Sequence, residues 1–207
     1  MTSNLRDEIA TRRSLELAWD AFRAGSFPVG AVLLDASGAV IAEGRNRMGD
    51  GDAPPGRLRG TGLAHAEIDV LAQLPLGDHR ALTLVTSLEP CLLCRSAATM
   101  TGIGHVRFVA SDALCEGLGQ LPSINAHTAR QSPKFDGPSS GLATVFAETL
   151  PLAVLLLFGT SPETSAHYRS RRPDTFRRAS SIVDNNAWPS RELSLDGAIE
   201  HVAQLVV

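Results

Sequence analysis

The sequence predicts an α/β protein, a mixed sheet flanked by helices with a helical extension behind it. Three observations predict this. Apolar runs of strand length alternate with helical patterns over roughly the first half of the chain. The first two runs are separated only by a turn, so they pair antiparallel as a hairpin. The last two are separated by a helix, which crosses over and makes them parallel.

The elements follow in order. Residues 3–24 read as a helix: Ser3 or Asn4 can cap it, and Leu5, Ile9, Leu15, Ala18, Trp19 and Phe22 supply its apolar positions. Gly25 ends it. The stretch VGAVLLDASGAVIAEGRN is the hairpin, turning at Asp35-Ala36-Ser37-Gly38. Residues 47–62 form a Gly/Pro-rich loop that leads into GLAHAEIDVLAQL, a second helix with Ile68, Leu71, Ala72 and Leu74 at helical spacing. ALTLVTSL is a third strand, Pro90 is placed for the first position of a third helix, and HVRFVAS is a fourth strand. Residues 113–139 read as a long loop with at most a short helical piece. GLATVFAETLPLAVLLLFG reads as a helix interrupted near Pro151, and SPETSAHYRSRRPDTFRRASS and SLDGAIEHVAQLV as further helices. The expected organisation is one domain over 1–207, with a core of about 1–112 and an extension of about 113–207.

Bulk properties exclude several classes. With 43% hydrophobic and 20% charged residues the chain has a globular composition. A net charge of −3 argues against a whole-chain electrostatic nucleic-acid binder. The apolar run LPLAVLLLFG is shorter than the ~20 residues that span a bilayer, so a buried helix is expected and no membrane association. The first 22 residues carry charge throughout and contain no apolar signal-peptide core, which points to a cytoplasmic protein. Three cysteines are too few for a disulfide framework. Two of them stand as Cys91 and Cys94, a spacing that favours metal or redox chemistry.

His65 and Glu67 raise a geometric question. At i and i+2 they point roughly 200° apart on a helix, yet both can reach a point just beyond its N-terminus. Cys91 and Cys94, about 60° apart around their helix, can face the same point. Two crossover helices beginning at one sheet edge would bring the groups together. His65, Cys91 and Cys94 are then three ligands suited to one Zn²⁺ per chain, with a fourth position left for water. Glu67 would reach that water rather than the metal. Two thiolates and a neutral imidazole cancel the charge of Zn²⁺, so such a site acidifies water weakly, and a carboxylate that moves the proton fills the gap. A histidine at a helix start is by itself more often a cap. A lone Cys-x-x-Cys is also weak. Together they make the H-x-E … P-C-x-x-C pattern of zinc nucleobase deaminases.

From about Phe27 to Asp112, through FPVGAVLLDASGAVIAEGRN, AHAEIDVL and VTSLEPCLLCRSA, the chain resembles the cytidine/deoxycytidylate deaminase superfamily. Within it, the resemblance is to the branch with tRNA adenosine deaminases, guanine deaminases and fungal-type cytosine deaminases. A His as first ligand sets the chain apart from the small cytidine deaminases that use three cysteines. The resemblance implies a three-layer sandwich and a homodimer. It implies that Asn46 binds the target base, that the Ala66 N–H bonds a ring carbonyl or its equivalent, and that the Glu89 carbonyl receives the leaving amine. The implied reaction is hydrolytic: an exocyclic amine on a nucleobase, nucleoside or related heterocycle becomes a carbonyl, ammonia leaves, and Glu67 moves the protons.

Beyond Asp112 the chain matches no pattern of the family. Arg169, Arg171, Arg172, Arg177 and Arg178, interleaved with Tyr168 and Phe176, are either a nucleic-acid surface or a solvated helix face, and the single patch on a negative chain favours the second. Arg57 and Arg59 are candidates for a substrate phosphate. The loops 47–62 and 112–139 are expected to shape the pocket as lids. Three readings follow: a deaminase of a small amino-heterocycle, a tRNA adenosine-to-inosine deaminase, and a non-catalytic zinc-stabilised binding module.

Overall fold

The computed structural model describes residues 3–205, with nothing to be said of the side chains of Ser3 and Asn4, so the expected N-terminal cap lies outside the described residues. Five strands form one mixed sheet in the order β2-β1-β3-β4-β5: β1 (Gly30–Leu34), β2 (Val40–Arg45), β3 (Thr83–Leu88), β4 (His105–Ala110) and β5 (Lys134–Asp136). β1 runs antiparallel to both β2 and β3, while β3, β4 and β5 are parallel. The hairpin turn is held by Asp35, whose Oδ1 accepts the N–H groups of Ser37 (2.8 Å) and Ala39 (3.0 Å). Gly38 supplies the positive φ of +80° that the turn requires.

Every residue of β1 is buried, so both faces of the sheet are covered. Val32 and Leu34 pack with Val85 against Ala10 and Leu17 of α1 (Ser3–Arg23). Ala31, Leu33, Leu84 and Val106 belong to the main cluster, with Val70 of α2 (Ala66–Leu71) and Ala98 of α3 (Leu92–Thr101). That same cluster takes in Phe146 of α5 (Leu142–Phe158) and Leu195 and Val202 of α8 (Leu195–Gln204). The chain between β4 and α5 carries two 3-10 turns and α4 (Ala126–Gln131), and α6 (Pro162–Arg171) and α7 (Pro173–Asp184) follow α5.

Several expectations need correction. Leu5 and Ile9 are exposed, because the buried stripe of α1 runs instead through Ala10, Leu15, Ala18, Trp19 and Phe22. α2 is only six residues long and Ala72 is exposed, since Pro75 lies just beyond and cannot donate to a further turn. Pro90 precedes α3 rather than opening it: Cys91 is the N-cap residue. The expected loop 113–139 contains β5, a three-residue strand too short to show periodicity. α5 runs unbroken through Pro151, and the arginine-rich stretch divides at Arg172-Pro173 into α6 and α7. The LPLAVLLLFG run is buried to Val154, but Leu157 and Phe158 are exposed. No helix among the described residues is long and apolar enough to cross a membrane.

Candidate metal and catalytic site

The site lies where β3 and β4 end. Because β1 is antiparallel to β3, the start of β1 and the end of β2 come to this same edge, with Ala31 opposite Thr86 and Gly30 opposite Arg45. Two helices start above it. His65 is the N-cap residue of α2 and Cys91 that of α3, both with extended backbone and neither using its side chain as a cap. Side chains normally spent on the helix end are thus available to a ligand.

His65 Nδ1 lies 3.6 Å from Cys91 Sγ and 3.5 Å from Cys94 Sγ, and the two sulfurs are 3.8 Å apart. A tetrahedral zinc at ordinary bond lengths has N–S and S–S edges of about 3.6 and 3.8 Å. The donor set and its spacing therefore fit a zinc ion. It is the one group of three or more His, Cys, Asp or Glu among the described residues that could hold a metal.

Electrostatics point the same way. Shared hydrogen bonding between the two thiols pulls Cys91 down to about 4 and pushes Cys94 up, so the pair holds one negative charge. Two adjacent thiolates need a cation between them. His65 is raised, first by its hydrogen bond with Cys91.

Glu67 is buried, and burial raises its carboxyl above the ordinary range. Its Oε1 accepts from Thr86 Oγ1 at 3.2 Å and its Oε2 from Cys94 Sγ at 3.3 Å. The carboxylate is thus fixed beside the donor triad.

Asn46, His65, Glu67, Glu89 and Cys91 line one cavity of about 240 Å³. Cys94 lies buried beneath it, and Ala66 is fully buried and outside its wall, with its N–H at the first position of α2. Asn46 Oδ1 accepts the Met48 N–H at 2.9 Å, which leaves the amide NH₂ to donate. The Glu89 carbonyl accepts from Cys115 Sγ at 3.5 Å, and the Glu89 carboxylate pairs with buried Arg95 at 2.6 Å. Arg95 in turn lies 4.0 Å over the ring of Phe135, so β5 braces this side of the site. A roomier hollow of about 430 Å³, between Phe22, Phe158 and Trp188, contains no acid, thiol or imidazole in its wall.

Sequence reasoning missed Thr86, Arg95 and Asp112. Thr86 and Ser87 are both polar on a strand buried on both faces, and that adjacent polar pair was the one signal for Thr86. The apolar cavity wall (Phe27, Val29, Met48, Leu88, Leu155) carried no signal. Arg57 is not in the cavity. Its guanidinium lies 2.9 Å from Asp69 and donates to the Glu43 carbonyl, and Arg59 donates to the Gly51 carbonyl. The loop 47–62 is pinned in this way, and by Asp50, which takes Arg45 at 2.6 Å and Arg47 at 3.2 Å. The arginine cluster is dispersed: Arg171 pairs with Glu116, Arg177 with Asp174, and Arg169 lies over Phe176.

Sheet order, helix placement and the donor triad define an α/β protein with one His-Cys-Cys group that could hold a metal. Residues 5–110 match the family described as the cytidine and deoxycytidylate deaminase zinc-binding region, and the chain belongs to that family. It is 33% identical over 121 residues to a tRNA(Ile)-lysidine synthase of Deinococcus radiodurans, covering 56% of this chain and 19% of that protein. It is 36% identical over 117 residues to a tRNA-specific adenosine deaminase of Haemophilus influenzae, covering 55% of this chain and 63% of that protein. The chain therefore spans less than two thirds of either relative. Among solved structures, a guanine deaminase from Nitrosomonas europaea superposes with a TM-score of 0.51 at 27% identity, covering 71% of this chain and 83% of that one.

Proposed function

We propose that the chain is a hydrolytic deaminase of a small amino-bearing heterocycle, with one zinc per chain held by His65, Cys91 and Cys94. The observation that carries it is the placement of Glu67: a buried carboxylate 3.3 Å from a ligand thiol, facing the same cavity as His65 and Cys91. A structural zinc would need a fourth protein ligand rather than an acid beside an open cavity. Family membership supports the same reading.

When bound, zinc would supply Lewis-acid activation of water. Glu67 takes a proton from the attacking water and delivers it to a ring nitrogen; it then takes the proton of the newly added hydroxyl and passes it to the amine, which leaves as ammonia while the C–N bond breaks and the carbonyl forms. Thr86 holds its carboxylate for these transfers. Asn46 donates its amide NH₂ to a ring acceptor, and Ala66 and Glu89 offer backbone contacts to the ring and the leaving amine. In balance, a ring C–NH₂ and one water give a ring carbonyl and one ammonia.

The proposal takes 1–207 as one domain, because the core and the extension share the main cluster. The dispersal of the arginine cluster favours a small substrate over tRNA. From family resemblance we infer a cytoplasmic homodimer, which sedimentation and fractionation check. An ammonia-release screen over cytosine, guanine and adenine, their nucleosides and nucleotides, with zinc measured on the same sample, tests the activity. No release from zinc-loaded protein across that panel refutes it.

A further inference from the structure

Next to the catalytic cavity lies a second chamber of about 180 Å³. The two share Phe27, His65, Leu88, Cys91, Asp112 and Leu155, so they adjoin beside His65 and Cys91. The far wall of the chamber comes from the extension: Glu148 on α5, Tyr168 on α6, Arg172 at the α6–α7 junction and Thr175 on α7.

Its polar groups are only half satisfied. Asp112 Oδ1 accepts the Tyr168 hydroxyl and the Leu114 N–H (3.0 Å), while Oδ2 has no donor among the described residues. Glu148 Oε1 accepts from Thr175 Oγ1 at 2.8 Å, and Oε2 has none. The Arg172 guanidinium makes no ion pair within 4.0 Å among the described residues, unlike its neighbours Arg171 and Arg177, although its charge acts on Asp112 across the chamber. None of these atoms is among the sealed polar atoms that make no hydrogen bond, which are Asp69 Oδ1 (ion-paired with Arg57), Arg107 Nε, Thr149 Oγ1 and Arg178 Nε. Two carboxylate oxygens and one guanidinium thus have hydrogen-bonding capacity left beside an accessible space.

We propose that Asp112, Glu148 and Arg172 determine specificity, by taking a neutral hydroxyl-bearing substituent beyond the reacting ring, so that a nucleoside is preferred to its free base, its phosphate ester or RNA. This rests on the deaminase reading above. Hydroxyls both donate and accept, and so satisfy carboxylate oxygens and a guanidinium together. A phosphate would meet two carboxylates for one guanidinium, and RNA brings phosphates on both sides of each nucleotide. Size agrees. The catalytic cavity alone falls short of the ~300 Å³ at which ligand pockets begin, and the chamber brings the joint space into range.

Binding to the zinc-loaded Glu67→Ala protein, measured calorimetrically, separates recognition from turnover. The probes are guanosine, adenosine and cytidine, each with its free base and 5′-monophosphate, and an anticodon stem-loop RNA. The expected result is at least tenfold tighter binding of one nucleoside than of its base and monophosphate. On the same background Glu148→Gln and Arg172→Gln should each cut that preference about tenfold, the size of one charge-assisted hydrogen bond, and Arg172→Lys should restore part of it. Circular dichroism and zinc content report folding of each variant. Equal or tighter binding of the base, the monophosphate or the RNA overturns the inference, as does no binding at all or a preference that survives both substitutions. If the preference holds but wild-type protein releases no ammonia from that nucleoside, the deaminase reading falls and the chamber stands.

Discussion

His65 and Cys91 occupy the same position, the N-cap, of two neighbouring helices, and their donor atoms lie 3.6 Å apart. One helix start delivers the imidazole, the other delivers both thiols, and Glu67, two residues past His65, comes to rest against Cys94.

The proton-transfer role of Glu67 predicts that Glu67→Ala lowers turnover by about 10²–10⁴-fold, the range of a positioned acid–base group. Zinc content should stay at one per chain, since His65, Cys91 and Cys94 are untouched. Turnover within tenfold of wild type would remove Glu67 from the mechanism.

Removing a ligand acts on stability as well. Cys91→Ala, or chelation of the wild type, should lower stability by about 4 kcal/mol, the effect of losing a ligand present at a thousand times its Kd. That is a fall of roughly 10 °C in Tm for a chain of this length. Added zinc should reverse the fall after chelation and leave Cys91→Ala unchanged. Scanning calorimetry with and without zinc checks both.

Packing of α2 sets where His65 and Glu67 stand. A Cβ at Gly44 would come within 2.8 Å of the Ala66 carbonyl and of Val70 Cγ2. Gly44→Ala should therefore push α2 off β2, at a cost of about 1–3 kcal/mol, and weaken zinc binding, although Gly44 touches no metal donor. Denaturant unfolding and a zinc competition titration read the two effects. Wild-type zinc affinity in this variant would show that α2 is not held by that contact.

Acid sensitivity should trace in part to Asp50. Burial raises its carboxyl, but hydrogen bonds from Arg45, Ser26 and Arg47 outweigh that and hold it below its ordinary value. A folded value below the unfolded one gives a stabilisation that is complete above the carboxylate range and disappears as pH falls through the lowered value. Asp50→Asn should thus be less stable at pH 7 by about 3–5 kcal/mol, as when one partner of a buried pair is removed. The two stability curves should converge below about pH 4. Parallel curves from pH 7 to pH 3 would contradict this origin.

The sequence by itself determined the core topology and the residues that the structure brings to one site. Hairpin spacing fixed β1 against β2, crossover helices fixed β3 beside β4, and short motifs named His65, Glu67, Cys91 and Cys94, because all of these depend on neighbours close along the chain. Only the tertiary structure decided the rest. β5 spans three residues and exists through pairing with β4. Thr86, 19 residues from Glu67, fixes the carboxylate across the sheet. Arg57, a plausible phosphate ligand in sequence, is committed to Asp69, and Asp112 gains the Tyr168 hydroxyl from α6. These are contacts between residues distant in sequence, and local pattern holds no record of them. The proposed reaction rests on four residues; the cavity beside them takes its shape from where α5, α6 and α7 come to lie.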